Sequence, residues 1–168
     1  LTTGQEIIDK LQNYDINAFI SGIGTGGTLI GTAKRLKEEF KDIKVIALEP
    51  KNMSLLSKEK KIGSHKIEGI GDDFIPSIVE KNLIDEVITI SDNDAIYLSR
   101  LLAKKLGLAV GISSGANFAA SIKSNLNKVV TIFPDDAKKY LSTDLTKEVK
   151  PDTKDLLNDL EIINLEVL

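Results

Sequence analysis

The 168-residue chain has no cysteine and no tryptophan, and it has a single histidine. Without cysteine there is no disulfide, no thiolate metal site and no cysteine nucleophile, and no metal is expected. The same absence agrees with a cytoplasmic location, which is the expectation here. Aromatic residues make up only 5% of the chain. No apolar run approaches the ~20 residues that span a bilayer, so no membrane partner is expected. Charge of one sign is also missing: 22 Lys and Arg against 25 Asp and Glu leave a net charge of −3. That near-balance excludes electrostatic steering toward nucleic acid. The start, Leu1-Thr2-Thr3-Gly4-Gln5, has no basic or apolar stretch of the signal-peptide kind. It lacks a Met, which suggests that the natural N-terminus lies elsewhere.

What is present is an alternation of strand-like and helix-like segments. Glu6–Gln12 reads as a short helix with Ile7, Ile8 and Leu11 on one face. Asn17–Ser21 is short, apolar and runs into glycines, as a buried strand does. Thr28–Phe40 follows as a helix, then Lys44–Leu48 as a strand stopped by Pro50. A strand, a helix and a second strand in that order predict a parallel sheet. A long polar stretch from Lys51 to Ser77 interrupts the pattern, and such stretches are often functional. Glu86–Ile90 resumes as a strand. Ser91 then N-caps a helix, with Asp94 completing a variant capping box, and Gly107 ends it. Gly111–Gly115 reads as a turn before a helix over Ala116–Leu126, and Val129–Phe133 as a last strand. The fold class is α/β: a twisted, mostly parallel sheet with helices on both faces. The domain is expected over 1–145, followed by a tail over 146–168 whose stretch from Leu156 to Ile163 is apolar enough to dock.

Ser21-Gly22-Ile23-Gly24-Thr25-Gly26-Gly27-Thr28 lies between a predicted strand and a predicted helix. Glycines let the backbone approach a ligand closely, and the start of the helix offers unpaired N–H groups with partial positive charge. Together they form a phosphate cradle with no lysine or arginine in the turn. Two readings stay open on spacing alone. Gly22, Gly24 and Gly27 satisfy the dinucleotide fingerprint, with Glu49 in the ribose-binding position, which would suit an NAD(P)-dependent oxidoreductase. The other reading is a cradle for one phosphate monoester.

Three further segments accompany the turn: His65-Lys66-Ile67-Glu68-Gly69-Ile70-Gly71, Gly111-Ile112-Ser113-Ser114-Gly115-Ala116 and Tyr140-Leu141-Ser142-Thr143. In order and spacing, the four together resemble the cysteine synthase and cystathionine β-synthase family of fold-type II pyridoxal-phosphate (PLP) enzymes, over roughly Thr3 to Leu145. The resemblance implies PLP as cofactor, with Gly24, Thr25, Gly26, Gly27 and Thr28 on its phosphate and Ser113 on its pyridine nitrogen. A neutral hydroxyl there leaves the ring a weaker electron sink than a carboxylate would, which favours loss of a β-substituent. Read apart from the family, Ser113 and Ser114 would be ordinary helix caps. Gly69, Ile70 and Gly71 are implied to line the substrate side, with His65 structural. The implied activity is β-replacement or β-elimination on O-acetylserine or cysteine. The implied assemblies are a homodimer and a complex with serine acetyltransferase, and a half-enzyme acting as a non-catalytic module for the acetyltransferase tail is the alternative from another class.

Two departures from the family stand out. Asp72 and Asp73 replace the small residues usual after Gly-Ile-Gly, and a carboxylate there would orient or deprotonate an attacking water or thiol. Pro134-Asp135-Asp136-Ala137 replaces a run of small hydroxyl residues near the pyridine end. The family's Schiff-base lysine belongs to a segment N-terminal to everything here, and none of the chain's lysines sits in that motif. The chain is therefore expected to be the C-terminal half of such an enzyme and inactive without its N-terminal half.

Overall fold

The computed structural model describes residues 2–58, 60, 61 and 63–154. The apolar stretch from Leu156 to Ile163 lies outside them. Helix α1 (Thr2–Leu11) leads to β1 (Ala18–Gly22), α2 (Gly27–Glu39) and β2 (Lys44–Pro50). A short antiparallel ribbon, β3 (Met53–Ser54) and β4 (Lys60–Lys61), flanks the single turn of α3 (Leu55–Lys58). Then come β5 (Glu86–Ile90), α4 (Asp92–Leu106), α5 (Ile112–Lys123) and β6 (Val129–Thr131), with 3-10 turns at Ala137–Tyr140 and Asp144–Thr146.

The four long strands form one wholly parallel sheet in the order β5-β2-β1-β6. Both of its faces are covered, as the apolar strands required. Phe19, Val45 and Ala47 face α1 and α2, packing with Leu29, Ala33 and Leu36. Ile20, Ile46, Leu48 and Ile88 face α4 and α5, packing with Ile96, Leu98 and Ala116. Phe19, Ile20, Leu29, Ile46 and Leu48 are completely buried, each contributing about 1.5–3 kcal/mol of hydrophobic stabilisation.

The expected elements appear, with α1 beginning at Thr2, with β2 running through Pro50, which pairs with Ile90, and with three further differences. First, α5 starts at Ile112 and has Gly111 as N-cap, so Ser113 and Ser114 lie inside its first turn and are not caps. Packing overrides the turn propensity here. A methyl on Gly115 would lie 2.1 Å from the Ala95 carbonyl oxygen of α4, so only glycine lets the two helices approach. Second, Asp94 does not complete a capping box. Ser91 Oγ accepts from Asp94 N at 3.2 Å as expected, yet the Asp94 carboxylate accepts from Asp152 N at 2.8 Å and from Thr153 N at 3.1 Å. Asp152 and Thr153, placed in the tail by sequence, are thus tied back onto α4. Third, β6 ends at Thr131, because Ile132 and Phe133 have left the ladder to form the wall of a cavity or reach solvent.

Strand order sets the position of the site. The chain leaves β1 toward β2 and β5 on one side, then returns to β6 on the other. Loops leaving β1 and β6 diverge from adjacent carboxyl ends, the switch point at which open parallel sheets bind ligands.

Candidate functional site

A cavity of about 170 Å³ lies at that switch point. Its walls come from the turn after β1 (Gly22, Gly24, Thr25, Gly26, Thr28), from Glu68, Gly69 and Ile70, from Ser113 and Asn117 of α5, and from the segment after β6. A larger groove of about 630 Å³ runs between α4 and residues 137–149, but it holds none of the predicted site residues.

The turn after β1 is shaped for an anion. Gly26 has φ 87°, the left-handed region, and it N-caps α2 without any side chain. Since Ile30 N donates to Gly26 O at 2.9 Å, the N–H groups of Gly27, Thr28 and Leu29 have no intrahelical acceptors. No lysine, arginine or histidine lines the cavity, so any phosphate would be held by N–H groups, threonine hydroxyls and the α2 dipole.

Two loops meet at Gly24. A methyl there would lie 2.5 Å from the Gly69 carbonyl oxygen, and Gly71 N donates to Ile23 O at 2.9 Å. The predicted substrate loop is therefore clamped directly to the predicted phosphate loop. His65 has the structural part expected of it: its Nε2 is 3.0 Å from Gly71 O, inside the same clamp. At the start of this loop, Lys66 N donates to Asp92 Oδ1 at 3.0 Å, and the Lys66 ammonium pairs with Asp144, which also pairs with Lys147.

Hydrogen bonds from Lys147 and then Lys66 hold the Asp144 carboxyl down at about 2, and the bond to Asp144 raises Lys66. The signs are opposite and the windows complementary. Asp144 contributes stability above the ordinary carboxyl range of about 3.9, and that contribution disappears as pH falls through about 2. Lys66 contributes below its ordinary value and loses the contribution as pH rises past it. Asp144→Asn is expected to flatten the acid limb of the stability curve between about pH 4 and about pH 2. Urea midpoints at pH values across that window check this, and high salt should reduce the difference because the pairs are exposed.

Glu49 argues against the dinucleotide reading. It is 2% exposed, and both of its oxygens are occupied: Oε1 accepts from Leu56 N, and Oε2 accepts from Ser57 N and Ser57 Oγ at 3.1 and 3.0 Å. It caps α3 and is not offered to a ribose. Of the residues predicted on sequence, Gly24, Thr25, Gly26, Thr28, Gly69, Ile70 and Ser113 line one cavity. Gly27 opens α2 beside it, and Gly71 forms the clamp. Asp72 and Asp73 do not line it: both are exposed, and Asp72 borders a separate crevice of about 20 Å³ with Ile23, Glu49 and Phe74.

Asn117 was missed on sequence. It is 3% exposed, its Oδ1 accepts from Gly22 N at 2.8 Å, and its Nδ2 donates to Ile132 O at 2.7 Å. One side chain thus joins the ends of β1 and β6 to the helix carrying Ser113. The missed signal is the polar row Ser113, Asn117, Ser121, spaced four apart along the helix and buried.

The comparisons with known proteins agree with this geometry. Residues 1–135 match the family model of pyridoxal-phosphate dependent enzymes. The chain belongs to that family. Cysteine synthase B of Campylobacter jejuni is 49% identical over 147 residues, which are 85% of this chain and 48% of that protein. A cysteine synthase of Helicobacter pylori is 45% identical over 146 residues, 84% of this chain and 47% of its own length. Among solved structures, a hydrogen sulfide-producing enzyme from Fusobacterium nucleatum superimposes with a TM-score of 0.82 at 48% identity, covering 88% of this chain and 46% of that one. The chain spans about half the length of the curated relatives it matches.

The residues present fit the family's cofactor. The glycine cradle is closed to any side chain at Gly24, open N–H groups stand at the start of α2, and Ser113 is on the same cavity. No group of three or more metal-ligating side chains occurs among the described residues. No helix among them is long and apolar enough to cross a membrane.

Proposed function

We propose that this chain is the phosphate-binding lobe of an enzyme performing β-replacement or β-elimination on O-acetylserine or cysteine, assimilating or releasing sulfide. The observation that carries the reading is the single cavity at the β1/β6 switch point, bordered at once by the Gly24–Thr28 cradle, the Gly69–Ile70 loop and Ser113. When bound, the cofactor supplies the electron sink next to the substrate's α-carbon. The N–H groups of Gly27, Thr28 and Leu29, with the hydroxyls of Thr25 and Thr28, hold its phosphate. Ser113 accepts or donates at the ring nitrogen without imposing a full charge. The Glu68–Gly71 loop, fixed by the Ile23 and His65 contacts, excludes water on the substrate side. No lysine among the described residues lines the cavity, so the amine that captures the cofactor's aldehyde belongs to a segment outside this lobe.

Asp72 follows directly on the Gly71 clamp, with Asp73 beside it. In this reading their carboxylates orient or deprotonate the water or thiol that adds at the β-carbon. Cysteine is then the preferred substrate, with sulfide leaving and serine or a thioether such as lanthionine as product. In the whole enzyme carrying this lobe, Asp72→Gly with Asp73→Gly is expected to lower sulfide release from cysteine roughly a hundredfold, the usual contribution of a general base. Product analysis by mass spectrometry, with cofactor absorbance as the control for binding, makes the check, and unchanged sulfide release overturns the aspartates' part. A homodimer, a cytoplasmic location and capture of a serine acetyltransferase tail complete the proposal, and pull-down with a tail peptide tests the last.

A further inference from the structure

The larger groove, of about 630 Å³, has no part in the site described above. It is mainly apolar, with Tyr97 and Leu101 from α4, Val110 beyond it, and Leu141, Leu145 and Val149 on the opposite wall. Leu141 is 63% exposed, more than any other large hydrophobic residue among the described ones. One edge is basic. Arg100 and Lys104 lie one turn apart on the same face of α4, and Glu148 is the one acid on the described lining. Arg100 Nη1 donates to Leu145 O at 3.1 Å, tying the two walls together at that point. Apolar surface left open to this extent is a mark of a docking face.

The chain itself supplies a segment that matches. Asp152 N and Thr153 N donate to Asp94 in the first turn of α4, so the described chain ends beside the helix that forms the groove. Residues 155–168 follow. Lys104 lies about 15 Å along α4 from Asp94, and a segment of that length covers about 21 Å even when helical. Leu156, Leu160, Ile163 and Val167 recur at helical spacing and would share one apolar stripe. Asp155, Asp159 and Glu166 would fall along one border of it, with Glu161 on the other side. The segment has no lysine, arginine or histidine. An apolar stripe edged with acid thus meets an apolar groove edged with base.

We propose that residues 155–168 dock in the groove between α4 and residues 137–149, with their acidic border toward Arg100 and Lys104. Seating there braces residues 137–149, whose Tyr140 borders the switch-point cavity and whose Asp144 pairs with Lys66 at the start of the Glu68–Gly71 loop. None of these contacts depends on the cofactor reading.

Because the chain has no cysteine, thiols can be placed one pair at a time. The full chain carrying Leu141→Cys with Asn164→Cys is treated with a short bis-maleimide at low protein concentration. Its control pairs Asn164→Cys with Lys41→Cys, an exposed position just beyond α2, which covers the opposite face of the sheet. The groove pair is expected to cross-link within one chain about tenfold faster than the control, since a seated thiol has the higher effective concentration. Arg100→Glu with Lys104→Glu should slow it about fivefold, the effect of losing two exposed ion pairs. Adding Asp155→Lys, Asp159→Lys and Glu166→Lys should restore the rate. Equal rates in the groove pair and the control overturn the proposal. So do cross-links that join two chains, which assign the groove to a second copy. A loss that the added lysines fail to restore overturns it too, because Arg100 and Lys104 would then serve only the fold.

Discussion

Gly24→Ala is expected to weaken binding of pyridoxal phosphate on the order of a hundredfold, equivalent to about 3 kcal/mol. The added methyl would sit 2.5 Å from the Gly69 carbonyl oxygen and 3.5 Å from the Ile70 Cα. Both are backbone, so no side chain can swing aside, and the cradle and the Gly69–Gly71 loop must separate. The Ile23–Gly71 hydrogen bond crosses the same junction and would lengthen with them. Stability should fall by only about 1–3 kcal/mol, as for other overpacked positions. Titration followed by cofactor absorbance, alongside urea unfolding, separates the two effects. Gly31→Ala is the control. It lies within α2 with nothing within 4 Å of the added methyl, so it should leave affinity alone and stabilise the helix by up to about 1 kcal/mol.

The contrast between those two glycines shows what the sequence could and could not convey. Strands β1, β2 and β5 were legible because short apolar runs ended at glycine, proline or a helix cap, all local signals. The glycine–threonine turn was legible because its chemistry is local as well. The start of α5 was not, since two glycines and two serines within Gly111–Gly115 favour a turn. It is helical because α4 presses against Gly115, a contact between elements that no local pattern contains. Asp94 looked like half of a capping box for the same reason. Its partners, Asp152 and Thr153, lie almost sixty residues away in sequence, at a separation of 58 and 59. The two aspartates after Gly71 were placed from their position in the loop, and in the structure both are exposed, with Asp72 on a crevice beside the clamp.

Asn117→Ala is expected to cost about 2–4 kcal/mol, because it strands two backbone groups at once. Gly22 N–H loses its acceptor and Ile132 C=O loses its donor, at the adjacent ends of β1 and β6. Parallel neighbours separate there anyway, since β1–β6 pairing extends only from Ala18 to Ile20 on β1 and Thr131 Oγ1 donates to Ile20 O at 2.8 Å as the last direct tie. Beyond that tie, Asn117 is the connection that keeps the phosphate turn in register with Ser113. Affinity for the cofactor should therefore fall together with stability, whereas Gly24→Ala should lower affinity with a smaller loss of stability. Asn117→Asp sharpens the distinction: it keeps an acceptor for Gly22 N–H but sets a carboxylate against the Ile132 carbonyl, and should be at least as destabilising as alanine. Urea midpoints and cofactor titrations on the three variants decide the matter. If Asn117→Ala melts like the unaltered chain, the switch point is held by strand pairing alone, and the link between Gly22 and Ser113 has no energetic weight.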